Sequence, residues 1–353
     1  MSPTSDSVWS AQDTDPSAID AALREMLAER HAESDAYVPA RVLNLVCIVD
    51  RQWSGEIANR LRQVGRYHPS RTIVCAVEAR RTRLDARAML ATDADPEADE
   101  LAEIRETVIV ELGEQHLPHL DTIVDPLVVT DLSTVVWAPH GHYRAVEAIL
   151  HLTQVVLLDS VDEPELDEAL DRAHGFSERA YVVDLAWLRS TPWRERIAAT
   201  FDPPDQRPQL RHITGLHIRH HPDSGIAGLL LAGWLASRLG WQPSQLIDSG
   251  NRLSGRLGSS RGHVAIELVP TPQNVRGLVG ITIEMAGGTS LSLDRGAGGL
   301  HAVLRQRDGS EREWTLLGAS RGEAGILGEG IRQALLRDPT YQPALSAACV
   351  MAP

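Results

Sequence analysis

The sequence contains no lysine: all 34 basic residues among its 353 are arginine. That absence removes every chemistry needing a side-chain primary amine. The phosphate-gripping lysine of a P-loop, a Schiff-base lysine and the strand lysine of a kinase are all excluded. Cysteine is scarce, three in all, too few for a disulfide framework. Cys47 and Cys75 each lie inside an apolar run and read as small buried hydrophobes. Phenylalanine occurs twice, against eight tryptophans. No apolar run approaches the ~20 residues that span a bilayer. Residues 1–7 carry neither the basic nor the apolar region of a secretory signal, so a cytoplasmic protein with no membrane partner is expected. A net charge of −14 offers no cationic surface to displace condensed counterions, so no nucleic-acid partner is expected.

What is present divides the chain into differently patterned parts. Residues 1–16 are polar and proline-containing and read as disordered. A helix over 16–31 follows, with Ile19, Leu23, Met26 and Leu27 on one face, so that 1–35 form a tail and a helix. From 36 to 203 strands and helices alternate. Near-continuous apolar runs at 42–49 and 72–77 suit strands buried on both faces, with further strands expected at 107–112, 134–137, 154–158 and 179–184. Helices are expected at 54–67, 117–128, 143–151 and 165–174. This is the pattern of an α/β domain with a mostly parallel sheet and flanking helices, Rossmann-like in outline.

The prolines of 201–208 mark a boundary. Beyond it, 209–340 read as an α+β domain with an antiparallel sheet. It has a strand at 211–220 and a helix at 224–239. Alternating strands then carry Val264, Ile266 and Leu268, and Val279, Ile281, Ile283 and Met285. Gly287-Gly288 and Asp308-Gly309 are hairpin turns, and a last helix covers 324–336. Residues 341–353 read as a tail.

The dinucleotide fingerprint is missing where it would matter. The first long strand runs into Asp50-Arg-Gln-Trp-Ser-Gly-Glu56, with one glycine and no Gly-x-Gly-x-x-Gly. The glycines of 325–330 stand in the wrong order. No P-loop, His-Glu-x-x-His or Gly-x-Ser-x-Gly occurs. No cofactor is therefore expected. Histidines cluster at His116/His119, His140/His142 and His212/His217/His220/His221, without an identifiable third ligand for a metal. Ser224 stands where a helix begins and reads as its cap rather than a nucleophile. Eight arginines lie between 60 and 87 and an acidic stretch follows to Glu106, either a solvated face or a docking patch.

The most informative segment is Asp184-Leu-Ala-Trp187-Leu-Arg189-Ser-Thr191-Pro192-Trp193-Arg194-Glu195. Thr191-Pro192 reads as a capped helix start. The density of tryptophan and arginine around it exceeds what a helix start requires. On this segment the chain resembles the glucose-6-phosphate dehydrogenase assembly protein (OpcA) family in its shorter actinobacterial form. Residues 41–46, His68-Pro69-Ser70-Arg71, Val135-Val136-Trp137 with Pro139, Leu158-Asp159-Ser160 and the helix 229–240 support the likeness. The family often carries a second tryptophan where this chain has Ala138.

The resemblance implies a non-catalytic accessory subunit that binds oligomeric glucose-6-phosphate dehydrogenase and activates it allosterically in the oxidative pentose phosphate route. Arg71, Trp137, Asp184, Trp187, Arg189, Trp193 and Arg194 would form the partner surface or its immediate support. The alternative is an enzyme that grips a sugar phosphate with arginines around Arg66 and Arg71. It lacks a placed general base or nucleophile.

Overall fold

The computed structural model describes residues 7–33, 37–39, 41–65, 69–92, 102–317 and 322–353. The chain divides into two compact units. One comprises the chain up to Leu158 with Arg179–Val183 and Ile331–Leu335. The other comprises Asp159–Glu178, Asp184–Gly330 and Leu336–Pro353. The proline-dense segment 201–208 lies inside the second.

The first unit is an α/β layer structure. Its strands are β1 (Ser7–Ala11), β2 (Tyr37–Pro39), β3 (Leu43–Asp50), β4 (Ser70–Val77), β5 (Asp85–Thr92), β6 (Ala102–Leu112), β7 (Thr134–Trp137), β8 (Val155–Leu158) and β9 (Tyr181–Asp184). Among the described residues they make one sheet in the order β1-β5-β6-β4-β3-β7-β8-β9, with β2 beside β6. β3 runs parallel to β4 and β7, β4 to β6, and β7 to β8. Leu43 to Val49 and all of β4 are buried, which is why both read as unbroken apolar runs. Helices α1 (Pro16–Glu33), α2 (Ser54–Gly65), α3 (Asp121–Val124) and α4 (Tyr143–Ala148) accompany the sheet.

Several expectations are corrected here. The chain's start is not wholly disordered, because Ser7–Ala11 pairs antiparallel with β5 from Leu90 to Ala86. The single helix expected over 117–128 breaks into the 3-10 turns Glu114–His119 and Asp125–Leu127 around α3. Pro118 and Pro126 have no N–H to donate and cannot continue an α-helix ladder. The last two residues expected in the 54–67 helix lie outside the described residues.

The second unit begins with α5 (Leu166–Ser177), α6 (Leu185–Arg189) and α7 (Thr191–Phe201), then β10 (Ile213–His220) and α8 (Gly225–Leu239). Seven strands follow: β11 (Ile247–Asp248), β12 (Leu253–Ser259), β13 (Gly262–Pro270), β14 (Leu278–Met285), β15 (Thr289–Gly296), β16 (Gly299–Arg305) and β17 (Glu311–Leu317). Their order is β11-β12-β13-β10-β14-β15-β16-β17, antiparallel throughout except for the parallel pair β10–β13. Val264, Ile266, Leu268, Ile281, Ile283 and Met285 all point into the core. Val279 does not, because a register shift beside Arg219/His220 turns Leu278 inward in its place.

The chain then forms α9 (Gly322–Leu336) and α10 (Tyr341–Met351). The expected 341–353 tail is thus a helix whose Tyr341, Ala344, Leu345, Ala348 and Met351 are buried. It packs on α8 at Gly233, where a Cβ would sit 2.2 Å from the carbonyl oxygen of Ala344. Only glycine permits that approach.

Candidate functional site

Strand order in the first unit reverses at β3, which leads to β4 on one side while β7 lies on the other. The crevice outside the carboxyl ends of such strands is where open α/β sheets bind ligands. Here Asp50, Trp53, His140 and His142 stand around it, with Trp53 and His140 exposed. β3 ends at Asp50, whose carboxylate meets His142 Nε2 at 2.9 Å and whose N–H donates to His140 Nδ1 at 3.4 Å. The His140 ring lies 6.0 Å from that of Trp53, tilted by 47°. Burial lowers the His140 pKa, so it suits a neutral acceptor. Trp137, at the end of β7, is buried. Asp50 is followed by the 3-10 turn Arg51–Trp53 rather than a glycine loop, so no bare backbone is offered to a pyrophosphate.

Arg71 in β4 is committed inside the same unit. Its Nε donates to Glu106 Oε2 at 2.6 Å and its Nη1 to the Leu127 carbonyl at 3.1 Å. Arg41 shares that carboxylate. Glu106 is only 1% exposed, so the pair is a buried charge cluster and not an open phosphate grip. This corrects the arginine-lined phosphate reading at Arg71. Arg66 lies outside the described residues, as does most of the acidic stretch.

The 184–195 segment builds a network within the second unit. β9 ends at Asp184, whose carboxylate caps α6 by accepting from the Ala186 N–H at 2.9 Å. It also accepts from the Ser160 N–H at 3.2 Å, the Ser160 hydroxyl at 2.7 Å and the Tyr341 hydroxyl at 3.1 Å. Burial, with help from the nearby Asp159 carboxylate, pushes the Asp184 pKa up to about 6. Arg189 holds Asp159 bidentately at 2.8 and 2.7 Å.

Trp187 Nε1 donates to Asp338 Oδ2 at 2.9 Å, and its ring meets Tyr341 edge-on at 5.6 Å. The Arg194 guanidinium lies 3.6 Å from the Trp187 ring centroid. It donates to Ser190 Oγ at 3.1 Å and Thr191 Oγ1 at 3.0 Å, and stands 3.7 Å from Asp338. Burial pulls the Arg194 pKa down to about 10, against the pull of Asp338. Burial also works to raise the Asp338 pKa, but donors from Thr340 and Trp187, with Arg194 nearby, leave it below the usual range. Trp193 is 2% exposed, with the Arg295 guanidinium 5.9 Å from its ring.

Two caps differ from expectation. Thr191 lies inside α7, and Ser190 at the cap position turns its hydroxyl back to the Trp187 carbonyl. Ser224 precedes α8 without capping it, because its buried hydroxyl accepts from the Gly277 N–H at 3.0 Å.

Of the seven residues singled out in the sequence, Asp184, Trp187, Arg189, Trp193 and Arg194 come together. Arg71 and Trp137 belong to the other unit. All are buried except Arg189, which is half-buried. Ser160's bond to Asp184 and the partners Asp338 and Tyr341, which follow the last helix expected at 324–336, were not legible in the sequence.

Two family models match the chain. The glucose-6-phosphate dehydrogenase subunit N-terminal domain matches residues 61–174, and the corresponding C-terminal domain residues 180–345. A putative OxPP cycle protein OpcA of Synechococcus elongatus is 29% identical over 183 residues, 49% of this chain and 41% of that relative. Its counterpart in Synechocystis is 30% identical over 132 residues, 36% of this chain and 28% of that relative. The chain thus matches well under half the length of these curated relatives. Among solved structures, the transcriptional regulator Gal80p of Kluyveromyces lactis superposes with a TM-score of 0.48 at 8% identity, covering 88% of this chain and 87% of that one. An oxidoreductase from Sinorhizobium meliloti gives a TM-score of 0.47 at 12% identity, covering 88% and 95%.

Proposed function

Since the chain belongs to the OpcA family of glucose-6-phosphate dehydrogenase subunits, its two domain models matching in order over 61–174 and 180–345, we propose that it is a non-catalytic accessory subunit that binds oligomeric glucose-6-phosphate dehydrogenase and activates it. The paired domain matches carry this reading. The turn after β3 supports it, since Asp50 to Glu56 holds one glycine, Gly55, where a dinucleotide-binding chain carries several, and Asp50 is tied to His140 and His142.

Activation requires differential affinity: the subunit binds the dehydrogenase's active conformation more tightly than its inactive one. A coupling of ~1–3 kcal/mol corresponds to about 5–150-fold in that preference. The seven singled-out residues serve this role as support rather than contact. Asp184, Trp187, Arg189 and Arg194 brace α6 and α7, leaving Glu195, Ala198 and Ala199 exposed on α7. The reaction lies in the oxidative pentose phosphate route of the cytoplasm, and NADP and glucose 6-phosphate belong to the partner.

The test is a titration of the purified chain into its own organism's glucose-6-phosphate dehydrogenase. Turnover and substrate affinity are followed kinetically and complex formation by size-exclusion chromatography. A saturable rise in kcat/KM with co-elution is expected. Co-elution without any kinetic change would leave assembly and remove activation, and turnover of the sugar phosphate by this chain alone would overturn the reading.

A further inference from the structure

β10 ends at His220, a side chain 6% exposed that lines a cleft of about 220 Å³ in the second unit. The His220 Nδ1 lies 2.8 Å from the His221 carbonyl oxygen. A carbonyl only accepts, so Nδ1 carries the proton and Nε2 keeps its lone pair. Among the described residues Nε2 has no hydrogen-bond partner. Burial lowers the His220 pKa, which keeps the ring neutral. Gly228 of α8 makes room for it, since a Cβ there would lie 3.4 Å from the ring and 3.0 Å from Leu268.

The remaining lining fixes what fits. The inner wall is apolar, with Ile226 and Leu268 buried. The charge on its wall is largely spent: Arg252 pairs with Glu267 at 2.6 Å and Glu163 with Arg172 at 3.2 Å. Asp223 and Asp248 are exposed at the rim. A phosphate would meet no uncommitted cation here. An ammonium would find its counter-charges at the solvent-screened rim and not beside the buried ring. Hydroxyl groups suit both places, donating to Nε2 inside and to carboxylates at the mouth. The volume falls below the ~300–1,000 Å³ of clefts that enclose drug-sized ligands.

We propose that this cleft binds a small, uncharged, polyhydroxylated metabolite of about hexose size, with one hydroxyl donating to Nε2 of His220. The test is calorimetric and ligand-observed NMR titration of the full chain with glucose and myo-inositol. Glucose 6-phosphate and putrescine serve as charged comparators, and no dehydrogenase is present, so the outcome is separate from the partner reading. Saturable binding of a neutral polyol is expected, with both comparators weaker. His220→Asn keeps a donor for the His221 carbonyl, but its short side chain leaves no acceptor at the Nε2 position, and it loses about tenfold in affinity, the worth of one hydrogen bond. His220→Gln places a carbonyl near the Nε2 position and retains binding. If His220→Asn does not fold, Leu253→Trp at the lining blocks the cleft and abolishes binding instead. Absence of polyol binding, tighter binding of putrescine or glucose 6-phosphate, or indifference to both His220→Asn and Leu253→Trp would each overturn the assignment.

Discussion

Replacing Asp184 by asparagine isolates the cost of one buried charge. Two of its four donors are backbone N–H groups, of Ser160 and Ala186, and two are hydroxyls, of Ser160 and Tyr341. An asparagine oxygen keeps the backbone pair, while its NH2 donates to the hydroxyls, which rotate to accept. The hydrogen bonds survive and the charge disappears. The folded pKa of about 6 exceeds the ordinary 3.8, so Asp184 holds its proton longer folded than unfolded. Its contribution to stability is fully present below the unfolded pKa and is lost as pH rises to the folded one. A difference of about two units at ~1.4 kcal/mol each gives on the order of 3 kcal/mol lost between pH 4 and 6. Urea denaturation of the native chain and Asp184→Asn across pH 4–8 reads this directly. The variant gains relative to the native chain as pH rises, and equals or exceeds its stability at pH 7.5. An asparagine variant that is less stable at pH 7.5, with a pH-independent difference, would mean that the four donors fully offset the desolvation of the charge.

Four further outcomes follow from the packing. Glu106→Gln leaves Arg41 and Arg71 without their shared buried carboxylate, so thermal and urea unfolding register a loss of about 3–5 kcal/mol; a loss near zero would mean those arginines find other partners. Gly233→Ala drives a Cβ into the backbone of Ala344 and costs about 1–3 kcal/mol, whereas Gly240→Ala, at φ +66° in a C-cap with open space around it, costs only ~1 kcal/mol. Trp187→Phe removes the bond to Asp338 and part of the surface under Arg194, lowering stability by about 1–2 kcal/mol with a changed near-ultraviolet circular dichroism spectrum. Glu195→Arg on the exposed side of α7 leaves stability within ~0.5 kcal/mol while altering dehydrogenase binding in the activity titration; unchanged binding would place the contact elsewhere.

The parallel strands β3, β4 and β7 were legible because a strand covered on both faces writes itself as an unbroken apolar run. β5 was not, since its inward positions are Ala86, Ala88 and Leu90 and its outward ones include Arg87 and Met89. Small side chains carry too little hydrophobic contrast for a period of two to stand out. α10 escaped for the same reason, its alanines being chosen for close approach to Gly233 rather than for bulk. In the 184–195 segment the density of tryptophan and arginine located the network without revealing its orientation. Trp187 and Arg194 read equally well as surface anchors until Asp338 and Tyr341 stand beside them. No local pattern encodes a partner that distant. His220 was visible only as one histidine among four, because its distinguishing property is the tautomer imposed by a neighbouring carbonyl.

Trp187 meets Asp338 across 151 positions of sequence, and Asp184 meets Tyr341 across 157. During synthesis at ~5–20 residues per second, that interval lasts on the order of ten to thirty seconds. For that time the indole of Trp187 and the carboxylate of Asp184 have emerged while the groups that seal them do not yet exist. The nascent chain therefore carries a sticky, half-built bracket late into translation.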